Sequence, residues 1–381
     1  MELSAEDDLL LNVLLASDLQ AVRIDESSHT LYALTLRGES KMQLHPPGRG
    51  LAYLRAVRET LSNYALGSPG GYPIFLRQWT RTGQITASNL EGLLLLGEPE
   101  AVIAVVRSPN LNEELARRAW WALPSAENAR CMLQTPCVAQ SPIARELAAF
   151  LVEFLPFEEN PVDAIDSVRL VLQPGLIDAS TREKLWSMGA RKNALRVGFL
   201  TAPPEALPKS APAVPLDGDL HHLKDLSRTG NPWARILLNG FSEPGQTWIR
   251  TAMAVLKKPA TQGVVWKLLG AIGDHFSITD HGQDPNTADT NGPENEPTFE
   301  RLRENTRRQL QTPQEPLLEL LNALPDDRRT IEALLILAQV DGELVTPIFA
   351  RSSAVGSVMR KQIEPVVTPI LAQLDTLYGS R

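Results

Sequence analysis

The spacing of apolar residues changes twice near the start of the chain. Residues 4–17 fit a helix: Ser4 is a good N-cap, and Glu6, Asp7 and Asp8 suit the positive end of the helix dipole. Over residues 20–45 the period falls to two. Val22 and Ile24 alternate with polar neighbours, as do Tyr32, Leu34 and Leu36, then Met42 and Leu44, while Asp25 to His29 and Gly38 to Ser40 are turn-like. This predicts an antiparallel meander of up to three strands, the one β signal in the chain. From Leu51 the period is helical again, with Leu51, Leu54, Val57 and Leu61 assigned to one face.

After the break Gly67-Ser-Pro-Gly-Gly-Tyr-Pro73, short helices are expected at 73–81, 88–96, 99–107, 112–122, 125–133, 142–155, 161–172, 179–188 and 192–200. Prolines and glycines punctuate them, because proline is tolerated in the first helical turn and excluded from the interior. No repeat period survives two units. The predicted fold class is mainly α: an irregular multi-helix array, with a HEAT-like stack as the alternative, and a small N-terminal antiparallel β-meander.

Composition divides the chain further. Residues 202–219, APPEALPKSAPAVPLDGD, have the make-up of an extended linker and set the expected end of an N-terminal domain at 201. A helical segment follows over 220–276, with Trp233, Trp248 and Trp266 as expected core members. Residues 277–297 are acidic, polar and nearly free of apolar side chains, which predicts a disordered loop. A C-terminal helical segment spans 298–381.

The 381 residues carry a net charge of -8, which argues against broad non-specific nucleic-acid binding. The cations fall mostly in short pairs, among them Arg117-Arg118, Arg191-Lys192 and Lys257-Lys258, so a local basic face stays open. Two cysteines exclude a disulfide-stapled secreted scaffold. Acidic residues precede the first apolar run, where a signal peptide would carry positive charge, and no run approaches the roughly 20 apolar residues of a membrane span. The expected location is the cytoplasm.

No GxxxxGK[ST], GxSxG, HExxH, CxxC or GxGxxG occurs, so no catalytic residue, metal or cofactor is assigned. The Ser68-Pro-Gly-Gly71 turn could offer backbone N–H groups to an anion, or simply be a tight turn that needs a left-handed glycine. His275 and His281 lie near Asp274, Asp280 and Asp284, but without metal-ligand spacing. The adjacent His221 and His222 cannot chelate together from a helix. Glu158 and Glu159 follow Phe154 and Phe157 at a helix exit, where adjacent glutamates are usually solvated. Cys131 reads as a small buried hydrophobe, and Cys137 is left undecided. The composition best suited to partner binding is Arg117, Arg118, Trp120 and Trp121 in NEELARRAWWALPS, with Asn112 as helix cap; the competing reading puts one tryptophan in the core and packs the other on the next helix.

The strings ALGSPGGYPIFLRQWTRTG (65–83), LLLLGEPEAVIAVVRSPNLNEELARRAWWALPSAENARCML (93–133), FLVEFLPFEENP (150–161), SVRLVLQPGLID (167–178) and RKNALRVGFL (191–200) resemble the DsrS family. These are soluble proteins encoded with the dissimilatory sulfite reductase genes of sulfur-oxidising bacteria. The resemblance covers roughly residues 1–200 and brings no active-site motif. It implies a cytoplasmic accessory or regulatory role in oxidation of stored sulfur. Three functions follow: a non-enzymatic interaction protein of the sulfur-oxidation machinery, a thiol-based sulfur handler using Cys131 or Cys137, or an RNA- or DNA-binding regulator.

Overall fold

The computed structural model describes residues 3–46, 50–73, 87–203, 206–208, 211–214, 220–278 and 298–379. The chain is mainly α, with one three-stranded antiparallel sheet near the N-terminus, in agreement with the expected class. It divides into two compact units, Met1–Phe154 and Leu155–Arg381.

In the first unit, α1 (Ala5–Leu15) is capped by Ser4, whose hydroxyl accepts the Asp7 N–H at 3.1 Å. Strands β1 (Leu19–Asp25), β2 (Thr30–Thr35) and β3 (Gly38–Gln43) follow in sequential order. Their register sets Val22 against Ala33 and Ile24 against Leu31, and Leu31 against Met42. Val22, Leu31, Ala33 and Met42 form one core with Leu11 of α1 and with Tyr53 and Leu54 of α2 (Gly50–Leu66). The apolar set expected on β2, namely Tyr32, Leu34 and Leu36, therefore lies on the opposite face. There Leu34 is buried and Leu36 exposed.

Leu51 also departs from the expected face of α2, being 77% exposed while Tyr53 is fully buried. At about 100° per residue, Leu51 sits roughly a quarter-turn or more away from the Leu54, Val57 and Leu61 stripe. Beyond α2 come α3 (Ala87–Leu93), α4 (Pro99–Val106), α5 (Glu113–Ala122), α6 (Ala126–Gln134), α7 (Pro136–Ala139) and α8 (Ile143–Phe154). Their starts follow local signals: Asn112 accepts the Leu115 N–H at 2.9 Å, and Ser125 the Asn128 N–H at 3.2 Å.

The second unit contains α9 (Pro161–Val171), α10 (Ala179–Met188), α11 (Asn193–Leu200), α12 (Leu220–Arg228), α13 (Pro232–Phe241), α14 (Glu243–Lys257) and α15 (Gln262–Phe276). After residue 297 come α16 (Phe299–Gln311), α17 (Glu315–Ala323), α18 (Arg328–Leu337), α19 (Thr346–Phe349) and α20 (Gly356–Leu377). Helices α9 and α11 cross closely at Gly198, where a Cβ would stand 2.5 Å from Val168 Cβ. Trp248 of α14 is buried, and its indole N–H donates to the Leu200 carbonyl at 3.0 Å.

These contacts place α9 to α11 with the helices that follow them, so the stretch 202–219 falls inside the second unit. Its described part is packed: Ala206, Leu207 and Ala211 are buried, and the Ala211 N–H donates to Thr247 Oγ1 at 3.0 Å. The expected acidic loop, from residue 279 to 297, lies outside the described residues, as does most of the expected 73–81 helix. Of the three tryptophans expected in the core, Trp233 is half-buried and Trp266 is 42% exposed, its ring lying over Gly342, where a Cβ would meet it at 2.6 Å. Among the described residues, no helix is long and apolar enough to cross a membrane.

Candidate partner-binding site

Adjacent residues on a helix point about 100° apart, so Trp120 and Trp121 of α5 cannot share a surface. Trp120 turns inward. It is 7% exposed, meets Phe150 edge-to-face at 5.0 Å, and its indole N–H donates to Glu146 Oε1 at 2.8 Å. Trp121 is half-buried and turns toward the sheet, where its N–H donates to Glu39 Oε2 at 3.1 Å.

Arg23 of β1 ties this arrangement together. Its guanidinium lies 5.1 Å from the Trp121 ring and 4.7 Å from the ring of Tyr32, its cross-strand partner on β2. It also donates to the Trp121 carbonyl at 3.4 Å and pairs with Glu39 at 3.5 Å. The result is an aromatic, cation and aromatic layer on the outer face of the sheet. Beside it runs a groove of about 440 Å³ lined in part by Arg23, Tyr32, Asp25, Glu98, Val102 and Leu123.

The two arginines of α5 are held internally. Arg117 forks Glu114 at 3.0 and 2.7 Å and reaches Gln20 at 2.9 Å; a β-bulge between Leu19 and Ala21 interrupts the ladder at Gln20. Arg118 donates to Glu114 at 2.8 Å and lies 3.7 Å from Glu91. Arg117, and then Arg118, hold the Glu114 carboxyl down to about 2 against the effect of burial. Charge on this face is thus largely compensated, and its distinctive feature is the Trp121, Arg23 and Tyr32 layer. Arg23 and Tyr32 carry no motif. Arg23 lay in the polar phase of β1 and Tyr32 in the apolar phase of β2, and the two become a site only when α5 packs on the sheet.

The other sequence candidates resolve differently. Gly71 has φ +61°, as a tight turn requires. Its N–H donates to Ser62 Oγ at 2.8 Å and the Tyr72 N–H to Glu98 Oε2 at 3.0 Å, so a built-in carboxylate stands where an anion would bind. Burial pushes the Cys131 thiol up, against the pull of Arg107, and its Sγ lies 3.6 Å from the Val106 carbonyl. Cys137 is exposed, with Sγ 3.4 Å from the Leu111 carbonyl. His275 is stacked on Trp248 at 3.9 Å, whereas His281, Asp280 and Asp284 lie outside the described residues. Among the described residues, no group of three or more His, Cys, Asp or Glu side chains could hold a metal. His221 and His222 are successive positions of α12, and Glu158 accepts the Asn160 N–H at 3.2 Å. No family model, curated protein or solved structure matches this chain, so the reading of the site stands on its geometry.

Proposed function

We propose that this chain is a non-catalytic accessory protein that acts by binding another protein, in the cytoplasm, in support of dissimilatory sulfur oxidation. The Trp121, Arg23 and Tyr32 layer beside its groove supports the binding part of this reading. A partly exposed indole braced by a guanidinium offers apolar area at little entropic cost, the composition of a protein-binding hot spot. The sulfur-oxidation setting rests on the resemblance of residues 1–200 to the DsrS family.

The experiment compares wild type and Trp121→Ala for capture of proteins encoded with the sulfite reductase genes, in cells oxidising stored sulfur, and then for affinity toward the purified partner. The variant should bind at least about tenfold more weakly, roughly 1.4 kcal/mol, while its own stability falls by only about 1 kcal/mol. Equal affinity would remove this face from consideration. Capture of no sulfur-oxidation protein by wild type would remove the setting.

A further inference from the structure

Helix α1 leaves an apolar face uncovered. Leu9 is 65% exposed and Val13 63%, and Leu10 beside them is exposed as well. By helical phase these three side chains and Glu6 share one face about 100° wide, while Asp7, Leu11 and Leu15 point to the core. Glu6 and Asp8 are exposed, and α1 contains no basic residue. Asp8 accepts from Asn12 Nδ2 at 3.3 Å, and among the described residues neither carboxylate meets a cation. A contiguous apolar face of this kind on a surface helix marks a contact surface.

The second unit carries a surface of the opposite sign. A groove of about 380 Å³ lies between the end of α14 and the first half of α20, with Ile363 and Val367 buried in its floor. Lys257, Arg360 and Lys361 line it against one carboxylate, Glu364, and among the described residues none of the four forms an ion pair. Arg360 and Lys361 stand near the start of α20, the end where a helix dipole favours acidic side chains, so they do not serve the helix itself.

We propose that α1 of one copy of this chain docks in the α14–α20 groove of a second copy, running parallel to α20. Glu6 precedes Leu9 by three residues and Val13 by seven, just as Arg360 precedes Ile363 by three and Val367 by seven. One parallel alignment therefore brings Glu6 to Arg360 and Lys361 while Leu9 and Val13 cover the apolar floor, which is the helix-in-groove mode of recognition. The two surfaces differ, so the contact is head-to-tail: each bound pair keeps one α1 and one groove open, and the assembly lengthens or closes into a ring. A single helix in a short groove buries less than the roughly 1,200 Å² of a standard interface, so the association is weak and reversible. It makes no use of the Trp121 face.

Sedimentation velocity of the full chain, up to about 100 μM at low salt, tests the contact. Wild type should associate as concentration rises, and added salt should weaken the association by screening the charges. Leu9→Gln with Val13→Gln, and separately Lys257→Glu with Lys361→Glu, should each raise the dissociation constant at least about tenfold. Mixed together, the two variants should form pairs and stop there, because only the groove of the first and the α1 of the second remain intact. All four side chains are exposed, so the melting temperatures should match wild type; if a double variant is destabilised, Leu9→Gln or Lys361→Glu alone decides. A monomeric wild type overturns the proposal, and so does a mixture that fails to pair. Association of the groove variant equal to wild type also overturns it, and would mean that α1 pairs with another α1.

Discussion

The Tyr53 hydroxyl donates to Asp7 Oδ2 at 2.5 Å, and both residues are fully buried. Asp7 sits in the first turn of α1 and Tyr53 in α2, so one hydrogen bond locks the two helices that cover the inner face of the sheet. Asp7 also accepts the His45 backbone N–H at 2.8 Å and faces His45 Nδ1 at 3.1 Å, while the Ser4 N–H donates to the Tyr53 oxygen at 3.1 Å. Burial works against the Asp7 charge, but these bonds from His45 and Tyr53 outweigh it and hold the carboxyl below its usual value. Tyr53→Phe leaves a buried carboxylate short of one donor and should cost about 1 to 3 kcal/mol, read by denaturant unfolding. A loss under about 0.5 kcal/mol would mean the bond is not a structural lock.

The adjacent tryptophans should separate stability from binding. Trp120→Ala removes an indole packed on Phe150 and should cost about 3 to 5 kcal/mol. Trp121→Ala removes a half-buried ring and should cost about 1 kcal/mol. Thermal unfolding of the two variants side by side checks the order, and comparable losses would make Trp121 a core residue.

Glycines in the second unit should respond in opposite directions to alanine. At Gly198 the new Cβ would lie 2.5 Å from Val168 Cβ and 2.8 Å from the Ile165 carbonyl oxygen, so helices α9 and α11 must separate. Gly198→Ala should destabilise by about 1 to 3 kcal/mol. At Gly270, inside α15, an added Cβ would meet nothing within 4 Å. Gly270→Ala should stabilise by about 0.5 to 1 kcal/mol through helix propensity. Unfolding midpoints that move in the same direction would show that the crossing is looser than the α9–α11 contact implies.

His275 should make stability fall on the acid side. Its ring stacks on Trp248 at 3.9 Å with 6° between planes, and burial lowers its pKa from the ordinary 6.5 to about 4. The unfolded chain therefore takes up the proton first. Its contribution is fully present above about pH 6.5 and is lost as pH falls toward 4. Between pH 7 and 5 wild type should lose roughly 1 to 2 kcal/mol more than His275→Phe, which keeps a ring on the indole but cannot titrate. Parallel melting curves across that range would show that His275 stays solvated.

Local signals determined the helices and the meander. Asn112 caps its helix as expected, and Ser125, Asn160 and Asp178 cap helices whose starts the sequence placed at 125, 161 and 179, because a cap bonds to an N–H only two or three residues away. Prolines mark one of these starts, at Pro161, and others at Pro99, Pro136 and Pro232, for an equally local reason. The tertiary structure decided whatever depends on a distant partner. Both faces of β2 are apolar, so its alternation could not say which side met the core; α1 and α2 claimed Leu31 and Ala33, and Leu34 was buried on the other face. Which of Trp120 and Trp121 points inward depended on α8 supplying Phe150 and Glu146. Arg117 and Arg118 looked available until Glu114, Gln20 and Glu91 were placed around them. The Pro-rich stretch 202–219 has the composition of a linker, yet Thr247 and the surrounding helices hold its described part in the second unit. A sequence records the period of its own side chains, but burial and ion pairing belong to pairs of segments, and their energies exist only once those segments meet.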